Sequence, residues 1–356
     1  MAAITIDTCG GQRRIGPGAP VFIVAELSGN HNGDYSRAER LVDEAIDAGA
    51  DAIKLQTYTA DTMTIDCDNE YFQVKLNADW AGHTLYSLYQ LAATPWEWQP
   101  RLEARARARG VPLFSSPFDA TAVDFLERMQ VPLHKVASFE LGDIALLRKI
   151  GSTRKPVIVS RGMATADEIQ LALDTLREAG APGIALLHCV SAYPAAPEDM
   201  NLTTIPDLAQ RFGVVSGLSD HTLGTAVAVA AVALGASVIE KHFTLRRADG
   251  GPDASFSLEP HEFAEMVRQV RQVSAALGRP SYEPGAKEQQ ARAYRRSLFV
   301  VENIQKGELL TTRNVRVIRP GHGLEPKYLD AVIGQRASVA LERGTPLRRE
   351  HVVGLG

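Results

Sequence analysis

At 356 residues, with 45% hydrophobic residues and a formal net charge of −4, the chain is long enough for one large and one small buried core. This balance gives no global argument for a nucleic-acid or membrane-surface partner, and neither an 18-residue apolar span nor a leader-like N-terminus is apparent. Three widely spaced cysteines (Cys9, Cys67 and Cys189) suit a reducing compartment rather than a disulfide framework, so the expectation is a soluble cytoplasmic protein.

In chain order, short continuous apolar runs appear at VFIVAEL (21–27), AIKLQTY (52–58), PLFSSPF (112–118), LHKVAS (133–138), PVIVS (156–160), IALLHCV (184–190), VVSGLSD (214–220) and VIEKHF (238–243). Continuous rather than alternating runs predict strands buried on both faces of a parallel sheet. Helical patterns lie between them, among them 36–50, 95–110, 164–181 and 222–237. Several open at Ser, Thr or Asp and close at Gly, as helix ends prefer. Eight β/α units in about 250 residues predict a TIM (β/α)8 barrel over residues 1–280. The rival is a doubly wound open sheet, but no Gly-rich phosphate loop follows the first strand.

Two departures from a minimal barrel stand out. Residues 59–93 form a long insertion after the second strand, with aromatics Tyr71, Phe72, Trp80 and Tyr86, and a long loop there reads as functional. Residues 281–296 are polar and carry Pro and Gly, which predicts a linker or crossing arm; 297–356 read as a small β-rich domain. The charge is uneven across that boundary: residues 281–356 carry 13 basic against 8 acidic side chains. The opposite balance of residues 1–280 could help the small domain dock onto a large one.

Barrel chemistry sits at the C-terminal ends of the strands. Those ends hold Glu26, Lys54 with Gln56, Ser115 and Ser116, Lys135 and Ser138, and Ser160. Beyond them come Tyr193, Ser219 and Asp220 with His221, and Glu240, Lys241 and His242. Two lysines and several hydroxyls around one cavity describe an anion site, with phosphate the natural ligand. Each lysine taken alone is equally well explained by an ion pair with a neighbouring carboxylate. His221 and His242 fall on strands adjacent in the barrel, roughly 4.8 Å apart. They could share an open divalent metal acting as a Lewis acid on a carbonyl, or be one catalytic and one core histidine. Two imidazoles do not select among Mn²⁺, Mg²⁺ and Co²⁺. DGGPD (249–253) is turn chemistry, but its place just after the His242 strand makes Asp253 a candidate lid or sugar contact.

AELSGNHNGD, GADAIKLQTY, FSSPFD, KVASFE, GLSDHTLG, IEKHFTL and RPGHGL together resemble the nonulosonic (sialic) acid synthases. The likeness spans nearly the whole chain, including a C-terminal SAF (antifreeze-like) domain. Within the family, residues 67–98, SAYPAAPEDMNL and RRADGGPDASFSLEPHEF resemble the branch that makes pseudaminic acid. The resemblance implies condensation of phosphoenolpyruvate with the open-chain aldehyde of a 2-acetamido sugar, releasing phosphate. The branch implies 2,4-diacetamido-2,4,6-trideoxy-β-L-altrose as acceptor; legionaminate or N-acetylneuraminate synthesis is the alternative.

By motif, the resemblance implies that His221 and His242 bind a divalent metal (Mn²⁺, Mg²⁺ or Co²⁺) that polarises the aldehyde. Lys54, Ser116, Lys135, Ser138, Ser160 and Ser219 then hold phosphoenolpyruvate, and Gln56, Tyr193 and Asp253 meet the acceptor. Glu26 would handle a proton as a carboxylate in a mostly cationic site. Arg319 would reach a partner's active site, implying a domain-swapped homodimer. Three positions depart from the family pattern: Arg161 follows Ser160 where Thr is usual, and His188 and Val190 flank Cys189 where a Lys-Cys-Thr run is common. A sugar-binding paralogue and a Schiff-base aldolase using a barrel lysine are the readings from other classes.

Overall fold

The computed structural model describes residues 2–74 and 80–355. The chain divides into two compact units, Met1–Gly278 and Arg279–Gly356. The first opens with an antiparallel hairpin, β1 (Ile4–Thr8) and β2 (Gly11–Ile15), which the sequence patterns do not predict. Eight strands follow: β3 (Phe22–Glu26), β4 (Ala52–Thr57), β5 (Leu113–Pro117), β6 (His134–Val136), β7 (Val157–Ser160), β8 (Ile184–Cys189), β9 (Val215–Asp220) and β10 (Val238–His242). They pair in parallel, each with the next, and β10 returns to β3, closing the barrel. Each falls on one of the eight apolar runs.

Side chains alternate between two surroundings along every strand, as a pleat requires. Phe22, Val24, Ala52, Phe114, Ile158, Ala185, Leu187, Val215 and Val238 pack together inside the barrel. Their neighbours Ile23, Ala25, Ile53, Leu55, Leu113, Leu218 and Ile239 pack outward against the helices. A fully buried ring such as that of Phe114 contributes roughly 2–3 kcal/mol. Ile4, Ile6 and Ile15 of the hairpin join the inner cluster and seal its N-terminal end. Gly217 is fixed by the lumen: a Cβ there would sit 2.5 Å from the Val238 carbonyl and 2.7 Å from Leu187.

The helices begin and end as the caps dictate. Thr165 and Glu168 form a reciprocal capping box on helix Ala166–Ala179, and Gly180, at φ 115°, ends it. Asp34 and Asp119 cap the helices that follow β3 and β5. The insertion after β4 carries two short helices, Ala60–Met63 and Leu85–Ala92. No helix among the described residues is long and apolar enough to cross a membrane.

The second unit contains the antiparallel pair β11 (Ser297–Val300) and β12 (Val315–Ile318), with isolated bridges such as Ile304–Leu341 and Ala337–Val352. Its own core gathers Leu298, Val300, Ile304, Leu310, Val315, Val332, Leu341 and Leu347. The stretch expected to be a linker holds a short helix, Ala286–Ala291.

Candidate active site

The alternation that packs the barrel base puts polar residues at its top. Counting in steps of two from the apolar lumen residues leads to Glu26, Lys54, Ser116, Lys135, Ser160, Ser219 and Glu240. Cross-strand register sets Glu26 beside Lys54, and Ser219 beside Glu240. Two residues further on stand Gln56, His221 and His242, one side-chain layer nearer the mouth, a rise of roughly 7 Å. The site thus has a deep charged layer and a shallower imidazole layer.

In the deep layer Lys54 Nζ lies 2.9 Å from Glu26 Oε2 and 2.9 Å from Glu240 Oε1. It also reaches Ser116 Oγ at 3.4 Å. Burial opposes its charge, but Glu240 and Glu26 outweigh the penalty and hold its pKa above the ordinary lysine value. The ion-pair reading therefore describes Lys54. Lys135 differs. It donates to Ser160 Oγ at 2.8 Å and to the Val136 carbonyl at 3.0 Å, while Glu240 Oε1 stands off at 4.0 Å. Burial, reinforced by the charge of Lys54, pushes the Lys135 pKa down to about 8. Lys135 is the under-neutralised cation, with electrostatic capacity left for an incoming anion.

Glu240 is the residue whose importance sequence reasoning misses. It stands among the strand ends with no role assigned, yet it joins Lys54, Lys135 and Ser219, whose Oγ donates to it at 3.2 Å. Burial would raise its pKa, but Lys135 and Lys54 bring it down to about 2. Glu26 goes the other way. Burial raises it, Lys54 lowers it less, and the charge of Glu240 adds to the rise. Two lysines face two carboxylates, which corrects the expectation of a mostly cationic site. Glu26 Oε1 is further fixed by the Ser28 N–H at 2.9 Å and by Gln56 Nε2 at 3.1 Å.

Glu140 is absent from the residues that strand counting selects. It lies on the turn Ser138–Glu140 after β6, its Oε2 is buried without a hydrogen-bond partner, and burial lifts its pKa to about 7 despite Lys135. Its signal is in the KVASFE motif, two residues past Ser138. Ser138 Oγ meets Ser191 Oγ at 2.9 Å on the same rim.

In the shallower layer the rings of His221 and His242 are 5.4 Å apart, centroid to centroid. His221 Nδ1–H donates to the Val190 carbonyl at 2.9 Å, which leaves Nε2 as the free acceptor. His242 Nδ1 is buried without a hydrogen-bond partner and has Asp253 Oδ2 at 3.9 Å. Burial, then His221 and the lysines, holds the His242 pKa well below the ordinary value, so the ring is neutral. Burial opposes the charge of His221, but Cys189 and the Val190 carbonyl outweigh it and hold its pKa above the ordinary value. An imidazole so oriented beside a neutral one fits a shared divalent ion, which would displace any proton on Nε2. Among the described residues no third His, Cys, Asp or Glu completes a cluster, so two imidazoles are the protein donors on offer.

Asp220 shapes the turn carrying His221, accepting from Thr222 N and Oγ1, and is itself paired with Lys241 at 2.8 Å. Lys241 points outward and is structural. Tyr193 lies 4.4 Å from the His221 ring and 5.3 Å from Phe256, with Trp80 at 5.7 Å. Cys189 is a buried thiol in the lumen, 3.9 Å from His221 Nδ1. Ser115 faces away, bonded to Thr57 at 2.6 Å. Arg319 is exposed in the second unit, just past β12.

A model of the NeuB family matches residues 41–282, and a SAF domain model matches 295–353. A pseudaminic acid synthase from Helicobacter pylori is 43% identical over 335 residues, covering 94% of this chain and 98% of that protein. An N,N'-diacetyllegionaminic acid synthase from Legionella pneumophila is 35% identical, covering 93% of this chain and 94% of that protein. Among solved structures, the spore coat polysaccharide biosynthesis protein spsE of Bacillus subtilis is similar at TM-score 0.67 and 34% identity, with 99% of each chain covered.

Proposed function

The chain belongs to the NeuB family and is a sialic acid synthase-type enzyme, and from that premise we propose that it makes pseudaminic acid. The reaction would join phosphoenolpyruvate to 2,4-diacetamido-2,4,6-trideoxy-β-L-altrose with water, releasing phosphate. The observation that carries the reading is the two-layer lumen, in which an under-neutralised Lys135 beside serines lies beneath a pair of facing imidazoles. The likeness to pseudaminic acid synthases over nearly the full length supports the choice of acceptor.

Lys54, Lys135, Ser116, Ser138, Ser160 and Ser219 would bind the phosphate and carboxylate of phosphoenolpyruvate in the deep layer, with lysine charges and short hydroxyl donors. This places its C3 toward the mouth, where Gln56, Tyr193 and Asp253 would orient the acceptor aldehyde. His221 and His242 would hold a divalent ion (Mn²⁺, Mg²⁺ or Co²⁺). When bound, that ion supplies Lewis-acid polarisation of the aldehyde. As C3 forms its bond to the aldehyde carbon, a proton is needed on the nascent alkoxide, and Glu140, with a pKa of about 7, is suited to give it. Water then adds at C2, its proton passing to Glu26, and loss of phosphate leaves the 2-keto acid.

Exposed apolar side chains in the segments after β4, β6, β7 and β9 support a covering partner. Ile65, Tyr71, Leu91, Phe139, Met163 and Leu223 all lie in segments that follow barrel strands, and all are more than half exposed. Burying such side chains is favourable, consistent with a domain-swapped homodimer whose Arg319 completes the neighbouring site. The reading is tested by phosphate release from phosphoenolpyruvate with 2-acetamido sugars differing at C4 and C6. Turnover confined to the 2,4-diacetamido-6-deoxy acceptor supports it. Faster turnover of N-acetylmannosamine or of the legionaminate precursor would move the enzyme to the alternative product.

A further inference from the structure

Two of the three positions that depart from the family pattern touch each other. Arg161 Nε–H donates to His188 Nδ1 at 3.1 Å, and His188 Nε2 bonds to the carbonyl of Met200. A carbonyl only accepts, so Nε2 must carry the proton; the neutral ring then offers Nδ1 as an acceptor, and a guanidinium N–H can only donate. Each bond therefore requires the tautomer that the other requires. The imidazole is fully buried, and Arg161 is half-buried with no carboxylate in ion-pair range among the described residues. Neither side chain bonds to a lumen residue, because His188 lies on the outer face of β8 between the lumen-facing Leu187 and Cys189.

Met200 ends the segment that follows β8. Its start is tied down by His221 Nδ1 on the Val190 carbonyl at 2.9 Å, and its middle by the Ala195 N–H on the His221 carbonyl at 3.0 Å. The Arg161–His188 pair supplies a further tether, at the far end. Ser191, bonded to Ser138 at 2.9 Å, and Tyr193, with its ring against His221, lie between these points. We propose that Arg161, His188 and the Met200 carbonyl form a positioning relay that fixes segment 190–200, and so sets where Tyr193 holds the acceptor sugar over the imidazole layer. The relay runs from the residue next to Ser160 on β7, across β8, to the end of the segment that carries Tyr193. Its role in catalysis rests on the synthase reading above, while its existence as a coupled unit does not.

The test is a double-mutant cycle with Arg161→Ala, His188→Leu and the conservative His188→Gln. The glutamine side chain of His188→Gln can donate from its amide nitrogen to Met200 and accept from Arg161 through its oxygen. Arg161→Ala and His188→Leu should each raise the acceptor KM roughly tenfold to a hundredfold, as a misplaced contact does, with the phosphoenolpyruvate KM changed less than about threefold. The double variant should be no worse than either single one, and His188→Gln should recover most of the loss. Imidazole ¹H–¹⁵N NMR of the unliganded protein should show His188 as the Nε2–H tautomer, and in Arg161→Ala the unprotonated Nδ1 resonance should shift as its donor is lost. Additive effects, equal losses for both substrates, no rescue by His188→Gln, or an Nδ1–H tautomer would overturn the relay. If no acceptor is turned over at all, the NMR result and the coupling in urea midpoints still decide whether the relay exists.

Discussion

Lys135→Met separates a structural lysine from one kept for a ligand. The side chain is almost fully buried, and its pKa falls from an ordinary 10.5 to about 8, a shift worth on the order of 3 kcal/mol against the folded state at neutral pH. Methionine fills similar volume without charge. It forfeits the bonds to Ser160 and the Val136 carbonyl, about 1 kcal/mol each. Lys54 and Ser219 still hold Glu240. The variant should therefore be more stable than the parent by about 1 kcal/mol in urea unfolding at pH 7. The sign has a pH signature. A lysine with a lowered folded pKa costs stability below about 8 and is relieved as pH rises from there toward 10.5. The parent should therefore gain on the variant across that window and overtake it, the difference changing sign from about +1 to about −2 kcal/mol. Phosphoenolpyruvate should raise the parent's urea midpoint, and the variant should lose roughly tenfold to a hundredfold in its affinity, the worth of one charged hydrogen bond. A variant less stable than the parent by about 2 kcal/mol or more at pH 7, or a pH-flat difference, would show that Lys135 is a structural ion-pair member and refute the reasoning.

Glu240 has the opposite profile: its folded pKa of about 2 means that its stabilisation is present above pH 4.5 and lost as pH falls toward 2. Glu240→Gln should lower stability at pH 7 by on the order of 3 kcal/mol, and the gap should close in acid titrations followed by circular dichroism. His221→Ala should remove divalent-ion binding, read by metal analysis after dialysis, along with turnover; full activity after chelation in the parent would sink the metal reading. Arg319→Ala should weaken acceptor use much more than phosphoenolpyruvate use in steady-state kinetics, and equal effects on both would reject a role at a neighbouring acceptor site.

The barrel is legible because its signal is local. Eight apolar runs, each too short and too continuous for an amphipathic helix, require strands buried on both faces, and the capping residues mark the helices between. The hairpin at residues 4–15 is not legible, since ITIDT and GQRRI are weakly apolar and gain their burial only from the barrel base. The lysines, serines and histidines stand out because strand ends are easy to count. Glu240 and Glu140 acquire roles only in three dimensions, because a carboxylate's function depends on which cations lie across the lumen and on whether its oxygens are paired. The pairing of Arg161 with His188 is of the same kind: two departures 27 positions apart read as unrelated until adjacent strands bring them to 3.1 Å.

The hairpin at the base also governs traffic. With Ile4, Ile6 and Ile15 stoppering the far end, the lumen is closed at its base among the described residues. Whatever binds among the lysines must pass the imidazole layer first, and cannot leave while a sugar sits above it. For the proposed reaction, loading would then be compulsory in order, phosphoenolpyruvate before acceptor, with phosphate the last product out. Inorganic phosphate should accordingly inhibit competitively against phosphoenolpyruvate and not against the sugar, and random-order kinetics would show a second way in.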